Sequence, residues 1–257
     1  MQFFNDAGQE IHDCDDWMRL APPAAAYHVA EGRSAVEMCR AWIENYAVDR
    51  VTALLSREAG YGSVALERGI VEKLTQFDDN PRGPRHHDLL VTGSTPPGRI
   101  VIGIEGKADE TFGAPLDRHV ADALKRSPAS GTPSRVDNLT STFFGTTLSA
   151  DPSLATVRYQ LLSALAGTLV DAREHDAVEA VLLVHEFRTN RTADRLHAKN
   201  AATLDAFLAR LHPAAVRSGD ATASITDPIT VRGDGRRLPD ELPVRVAKLL
   251  TDSRKPE

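Results

Sequence analysis

Three residues between His87 and Lys107 have types and spacing suited to phosphate-ester chemistry: Asp88, Glu105 and Lys107. Asp88 lies in the run His87-Asp-Leu-Leu-Val91, and Glu105 and Lys107 close the run Arg99-Ile-Val-Ile-Gly-Ile-Glu-Gly-Lys107. Both runs read as strands. Carboxylates sit badly in apolar strands unless something compensates their charge, and a divalent cation is the usual compensation. Asp88 and Glu105 supply the carboxylate oxygens that Mg2+ or Mn2+ prefers, and the Gly106 carbonyl supplies another. A cation held there polarises a phosphate and acidifies a bound water. Lys107 orients or deprotonates that water, or neutralises charge building on the phosphate. Lysine is scarce in this chain and arginine abundant, so a lysine at this point is not its habitual cation.

The strands must bring these groups together. Thr95-Pro-Pro-Gly98 separates the two runs with a turn signal. A hairpin centred between Pro96 and Pro97 sets Asp88 directly across from Glu105, on one face, with Cβ atoms about 4.5–5.5 Å apart. Lys107 shares that face, and Ile100, Ile102 and Ile104 project from the other, ready to pack under a helix. His86 then opposes Lys107, where it and Arg85 can contact a phosphate. Register decides everything: a slip of one residue sends the two acids to opposite faces. The second proline favours a wider loop, which would permit such a slip. The competing reading of the same pattern is an ordinary solvated face of an antiparallel sheet. Zinc is not expected, because no further His or Cys stands at ligand spacing from His86 and His87.

At these residues the chain resembles the PD-(D/E)XK nuclease superfamily, whose signature is an acid on one strand and Glu-x-Lys on the next. Here the acid is Asp88, the Glu-x-Lys is Glu105-Gly106-Lys107, and His87 replaces the usual proline before the acid. The longer strings Arg85-His-His-Asp-Leu-Leu-Val and Glu105-Gly-Lys-Ala-Asp-Glu-Thr-Phe-Gly look like those of an uncharacterised bacterial branch of that superfamily. The resemblance implies an α/β fold with a restriction-endonuclease-like core (helix, three strands, helix, strand) over about residues 63–190. It implies Mg2+-dependent hydrolysis of a nucleic-acid phosphodiester, with DNA ahead of RNA. It also implies a glutamine or tyrosine near the site on the second core helix, where Arg158-Tyr159-Gln160 stands. Gln160 would assist the attacking water or the scissile phosphate, with Arg158 and Tyr159 as weaker substrate contacts. Glu67 or Glu72 is the expected accessory acid, and Glu110 a third candidate. A homodimer is expected because cutting both strands takes two sites.

The surrounding pattern fits this order. Ser63 to Arg68 reads as a short helix and Ile70 to Phe77 as an alternating strand. Asp151-Pro152 reads as a helix start, with Val157, Leu161, Leu165 and Leu169 as its apolar stripe. Val178 to Phe187 is a near-continuous apolar run, as in a buried strand. The rest reads as elaboration of a single domain over residues 1–257. An N-terminal helical extension covers 1–62, with a capping box at Ser34-Ala-Val-Glu37. An insert from Phe112 to Ala150 holds a short helix, Leu116 to Lys125, and a mobile loop, Ser127 to Ser134. A C-terminal helix (Thr192 to Leu211) and a β-hairpin (Ile225 to Val231 with Leu242 to Leu250) cover 191–257, ending in a frayed tail.

Composition narrows the classes. Hydrophobic content of 42% and charged content of 26% describe an ordinary globular chain, and no apolar run is long enough to span a membrane. The first residues show no signal-peptide pattern, and two cysteines do not make a disulfide framework. Cys39, among apolar neighbours, is expected to be a buried free thiol, which favours a reducing cytoplasm. Net charge of −6 gives no global basic footprint for nucleic acid. Local basic groups stand at Arg82 and Arg85, Lys125-Arg126, and Arg188, Arg191 and Arg195. Two rival readings follow: a catalytically silent binding or regulatory module on a nuclease fold, and a metal-dependent hydrolase of a small nucleotide, which mild acidity suits.

Overall fold

The apolar runs on either side of Pro96-Pro97 form the middle of one ten-stranded mixed sheet. The computed structural model describes residues 1–23, 29–44, 46–80 and 83–254. Strands β1 (Gln2–Asn5), β2 (Glu10–Ile11), β3 (Ala65–Thr75), β4 (Arg85–Thr95), β5 (Gly98–Lys107) and β6 (Glu179–Arg188) make its first part. Strands β7 (Arg217–Gly219), β8 (Ala223–Thr226), β9 (Ile229–Thr230) and β10 (Pro243–Asp252) complete it. The order is β2-β1-β3-β4-β5-β6-β10-β8-β7, with β9 also on β10. β3, β4 and β5 run antiparallel in sequence, and β6 joins β5 in parallel.

Helices cover both faces. On one, α1 (Cys14–Leu20), α2 (Ser34–Ile43) and α3 (Tyr46–Arg57) bury Trp17, Met38, Trp42 and Leu55 against Ile100, Ile102 and Ile104. On the other, α4 (Leu116–Arg126), α5 (Thr132–Phe144), α6 (Tyr159–Glu174) and α7 (Asp194–Leu211) pack over Leu90, Val101 and Leu182. With both faces covered, β5 and β6 must be apolar along nearly their whole length, and both are. α6 lies close to the sheet at Gly167, where a Cβ would meet His87 Nε2 at 2.6 Å and Arg85 Cγ at 2.9 Å. Leu161, Leu165 and Leu169 are fully buried beside it.

Several expectations need correction. Ser63 to Arg68 is not a helix: β3 already begins at Ala65, because its backbone pairs with β4 from Ser94 onward, through an irregularity at Leu66/Arg68. The helix before the three strands is α3. Asp151 caps only a short 3-10 turn, Pro152–Thr156, and Val157 ends that turn instead of joining the stripe. Ser34 does not cap α2; Arg33 holds the cap position, and the buried Glu37 accepts from the Gly32 N–H at 3.2 Å. The expected loop Ser127 to Ser134 is cut short by α5, whose proline in the first turn reads equally well as a breaker. The N-terminal extension is not purely helical, since β1 pairs in parallel with β3. The C-terminal strands pair as expected, β8 and β9 lying antiparallel to β10, but β10 also extends the main sheet along β6. Cys39 is not a free thiol but is disulfide-bonded to Cys14, with Cα atoms 5.7 Å apart, so cysteine usage no longer argues for a reducing compartment. Among the described residues no helix is long and apolar enough to cross a membrane. Arg82 and the last residues of the tail, 255–257, lie outside the described residues.

Candidate functional site

The β4–β5 register is the one that the sequence pattern predicts. Thr95 pairs with Gly98 across the two-residue Pro96-Pro97 turn, and the ladder runs without a slip to Leu89 opposite Ile104. Asp88 and Glu105 come next, just beyond the last paired residues of the ladder. On the other side of β4, Glu72 of β3 interrupts the regular backbone with φ of +51°. A non-glycine residue there is uncommon and tends to mark a functional site. At this end of the sheet a cavity of about 350 Å3 opens, lined by Asp88, Glu105, Gly106 and Lys107 together with Glu72, Arg85, His86, Glu110 and Gln160.

Glu105 is the hub. It is 1% exposed, and its Oε1 accepts from Lys107 Nζ at 2.6 Å and from Gln160 Nε2 at 2.5 Å. Its Oε2 is ion-paired with Arg85. Lys107 and Arg85 are themselves 3% and 9% exposed. Lys107 also donates to the Gly106 carbonyl at 3.1 Å, and Asp88 Oδ2 accepts from the Gly106 N–H at 2.7 Å. A Cβ on Gly106 would come within 2.7 Å of Met38 Cγ, so a larger residue there would have to push the Met38 side chain aside.

Charge in the cavity is unbalanced. Burial, then the Glu105 charge, pushes the Asp88 carboxyl up to about 7. Burial, then Asp88 and Glu105, pushes Glu72 up to about 8. Burial also raises Glu110, whose Oε2 has no hydrogen-bond partner. Burial alone would raise Glu105 too, but the Arg85 and Lys107 charges outweigh it and hold its carboxyl below the usual range. Burial would lower the Lys107 ammonium, yet Glu105, Asp88 and Glu110 outweigh it and hold it above the usual lysine value. Four carboxyls thus share two cations, and the three not held directly by a cation, Asp88, Glu72 and Glu110, are all pushed upward.

The remaining residues divide. Glu72 lines the cavity from the strand in which it was expected; Glu67 is exposed near the hairpin turn and accepts from Ser94, away from the cavity. His86 lines the cavity with Nδ1 3.9 Å from Glu72 Oε2, and burial lowers its imidazole. Gln160 reaches Glu105, but from the first turn of α6 and not from a turn or two inside it. Arg158 does not reach the cavity; it precedes the helix and donates to the Gly113 carbonyl at 2.9 Å. Tyr159 turns away as well, stacking on His119 with ring centroids 3.8 Å apart while Arg135 donates to its hydroxyl at 3.5 Å. His87, in the place of the expected proline, is fully buried under α6. Its Nε2 is 3.2 Å from Asp171 Oδ2 without the alignment of a hydrogen bond, and burial holds its imidazole neutral-favouring, below the usual value.

The wall that sequence reasoning missed comes from far upstream: Trp17 of α1 and Ser34, Ala35 and Met38 of α2 close the apolar side of the cavity. Nothing local in those helices marks them as lining residues. Among the described residues no group of three or more His, Cys, Asp or Glu side chains is arranged to hold a metal ion. The donor set at Asp88 and Glu105 is two carboxylates and the Gly106 carbonyl, all hard oxygen donors. Oxygen donors of this kind suit Mg2+ or Mn2+ better than zinc.

The model for DUF6946, described as a domain of unknown function, matches residues 10–250. The chain belongs to the DUF6946 family. No curated protein and no solved structure matches it. The DUF6946 match takes in all the cavity-lining residues named above, from Trp17 to Gln160.

Proposed function

We propose that the chain is a metal-dependent phosphodiesterase acting on nucleic acid, with DNA the first substrate to test, built on a restriction-endonuclease-like core. The observation that carries this reading is the meeting of Asp88, Glu105 and Lys107 in one cavity at the end of a single hairpin. The element order from α3 through β3, β4 and β5 to α6 and β6 supports the core assignment, with α4 and α5 as an insertion.

Asp88, Glu105 and the Gly106 carbonyl would hold Mg2+, which supplies Lewis-acid polarisation of the phosphate and a more acidic water. Lys107, its ammonium kept charged by three carboxyls, stabilises negative charge as it develops on the phosphate oxygens. Gln160, held against Glu105, orients that carboxylate and presents its carbonyl oxygen for a proton of the attacking water. His86 and Arg85, which line the cavity, would supply further donors to the substrate phosphate. The cavity volume of about 350 Å3 and its apolar wall of Trp17 and Met38 also favour a second reading, hydrolysis of a free nucleotide.

Plasmid nicking with Mg2+ by the full chain and by Lys107→Ala tests the proposal. The expected loss is about 100- to 1,000-fold, typical of removing one preorganised charge-stabilising group. Equal nicking by both proteins would sink it, and turnover of mononucleotides alone would move the activity to the second reading.

A further inference from the structure

We propose that Arg85 is a resident stand-in for the divalent ion: in the metal-free protein its guanidinium occupies the Glu105 oxygen that the ion needs, and arrival of the ion releases Arg85 to grip an anionic phosphate. This rests on the reading of the cavity as a divalent-cation centre. The two oxygens of Glu105 are not equivalent. Oε1 is shared by Lys107 and Gln160, whereas Oε2 is held by Arg85. One displacement therefore frees one carboxylate oxygen, and the Lys107 and Gln160 contacts survive it.

Arg85 is not built as a purely structural buried arginine. Such a side chain normally has its donors satisfied, because an unpaired buried donor costs most of its desolvation. The Nε of Arg85 is buried and has no hydrogen-bond partner, although the residue lines the cavity. A guanidinium with one edge committed and another donor idle suits an oxyanion with several acceptor oxygens, and phosphate is the ligand arginine forks fit best. Charge points the same way. Asp88, Glu105, Glu72 and Glu110 outnumber Arg85 and Lys107, so a divalent cation can enter without expelling Arg85 from the cavity. Metal binding thereby prepares phosphate binding.

Mn2+ titration of the full chain, followed by electron paramagnetic resonance and calorimetry, tests this with wild type, Arg85→Met and Arg85→Lys. Arg85→Met keeps the stem and removes the competing charge, so it should bind Mn2+ about 10- to 100-fold tighter than wild type. Mn2+-loaded wild type should bind inorganic phosphate, and Mn2+-loaded Arg85→Met should not. Simple structural damage would weaken Mn2+ binding, so the sign separates the two roles. Mn2+ affinity equal to or below wild type in Arg85→Met overturns the proposal while leaving the cation centre intact. If Arg85→Met does not fold, Arg85→Lys decides: its shorter, poorly matched cation should raise Mn2+ affinity, and unchanged or weaker binding overturns the proposal. Absence of Mn2+ binding in every protein overturns the cation centre and this role together.

Discussion

Asp88→Asn should stabilise the metal-free protein, and the gain should depend on pH. The Asp88 carboxyl is pushed up to about 7 from an unfolded value of 3.8, first by burial and then by Glu105. A carboxyl raised on folding favours the folded state fully below its unfolded value and gives that stability up as pH climbs to its folded value. Ionising Asp88 therefore costs the fold progressively between about pH 4 and 7, and the cost is constant above that. A shift of roughly three units at about 1.4 kcal/mol per unit sets an upper limit near 4 kcal/mol. Asp88 is partly exposed, and discounting for solvent screening leaves roughly 2 kcal/mol. Asparagine never ionises, and its carbonyl oxygen still accepts from the Gly106 N–H. The variant should thus melt about 4–8 °C above wild type at pH 8 and close to it at pH 4. Buried histidines such as His185, pushed down to about 3 by burial, act in the opposite direction as pH falls, but they are common to both proteins and cancel in the difference. Mn2+ at saturating concentration should reverse the order, because only wild type offers the second carboxylate. Thermal melts at several pH values, with and without Mn2+, make the measurement. A wild-type-minus-variant difference that is flat from pH 4 to 8, or an asparagine variant less stable at pH 8, refutes the reasoning.

Gly167→Ala should destabilise the fold by about 1–3 kcal/mol, because its methyl would meet the buried His87 ring and the Arg85 stem; denaturant titration measures the loss, and no change would mean that α6 can lift from the sheet without cost. Replacing both Cys14 and Cys39 by serine should cost roughly 3 kcal/mol, the closure entropy of a loop spanning 25 residues. A denaturant midpoint equal to that of the oxidised wild type would show that the crosslink contributes nothing.

The hairpin was legible because its information is local. Two apolar runs and a two-residue turn fix the β4–β5 register, and the proline in the turn did not widen it. Element order between β3 and β6 was legible for the same reason, since buried strands carry long apolar runs. Local signals failed where tertiary contacts decide. Ser63 to Arg68 has helical composition, but pairing with β4 makes it strand. Two cysteines separated by 25 residues carry no sign of proximity until α1 lies on α2. The position of Arg85 beside the acids suggests a phosphate contact, yet nothing in its neighbours in sequence announces that it is bound to Glu105. Tyr159 and Gln160 are adjacent in the chain but diverge, because the start of α6 sends one toward Arg135 and the other toward Glu105.

The most direct measurement is an anomalous-scattering crystal structure of the wild-type chain soaked in Mn2+. The account predicts a single strong peak about 2 Å from carboxylate oxygens of both Asp88 and Glu105, with Arg85 withdrawn from Glu105. Density for the unchanged Arg85–Glu105 pair at saturating Mn2+, with no peak between the two acids, would contradict it.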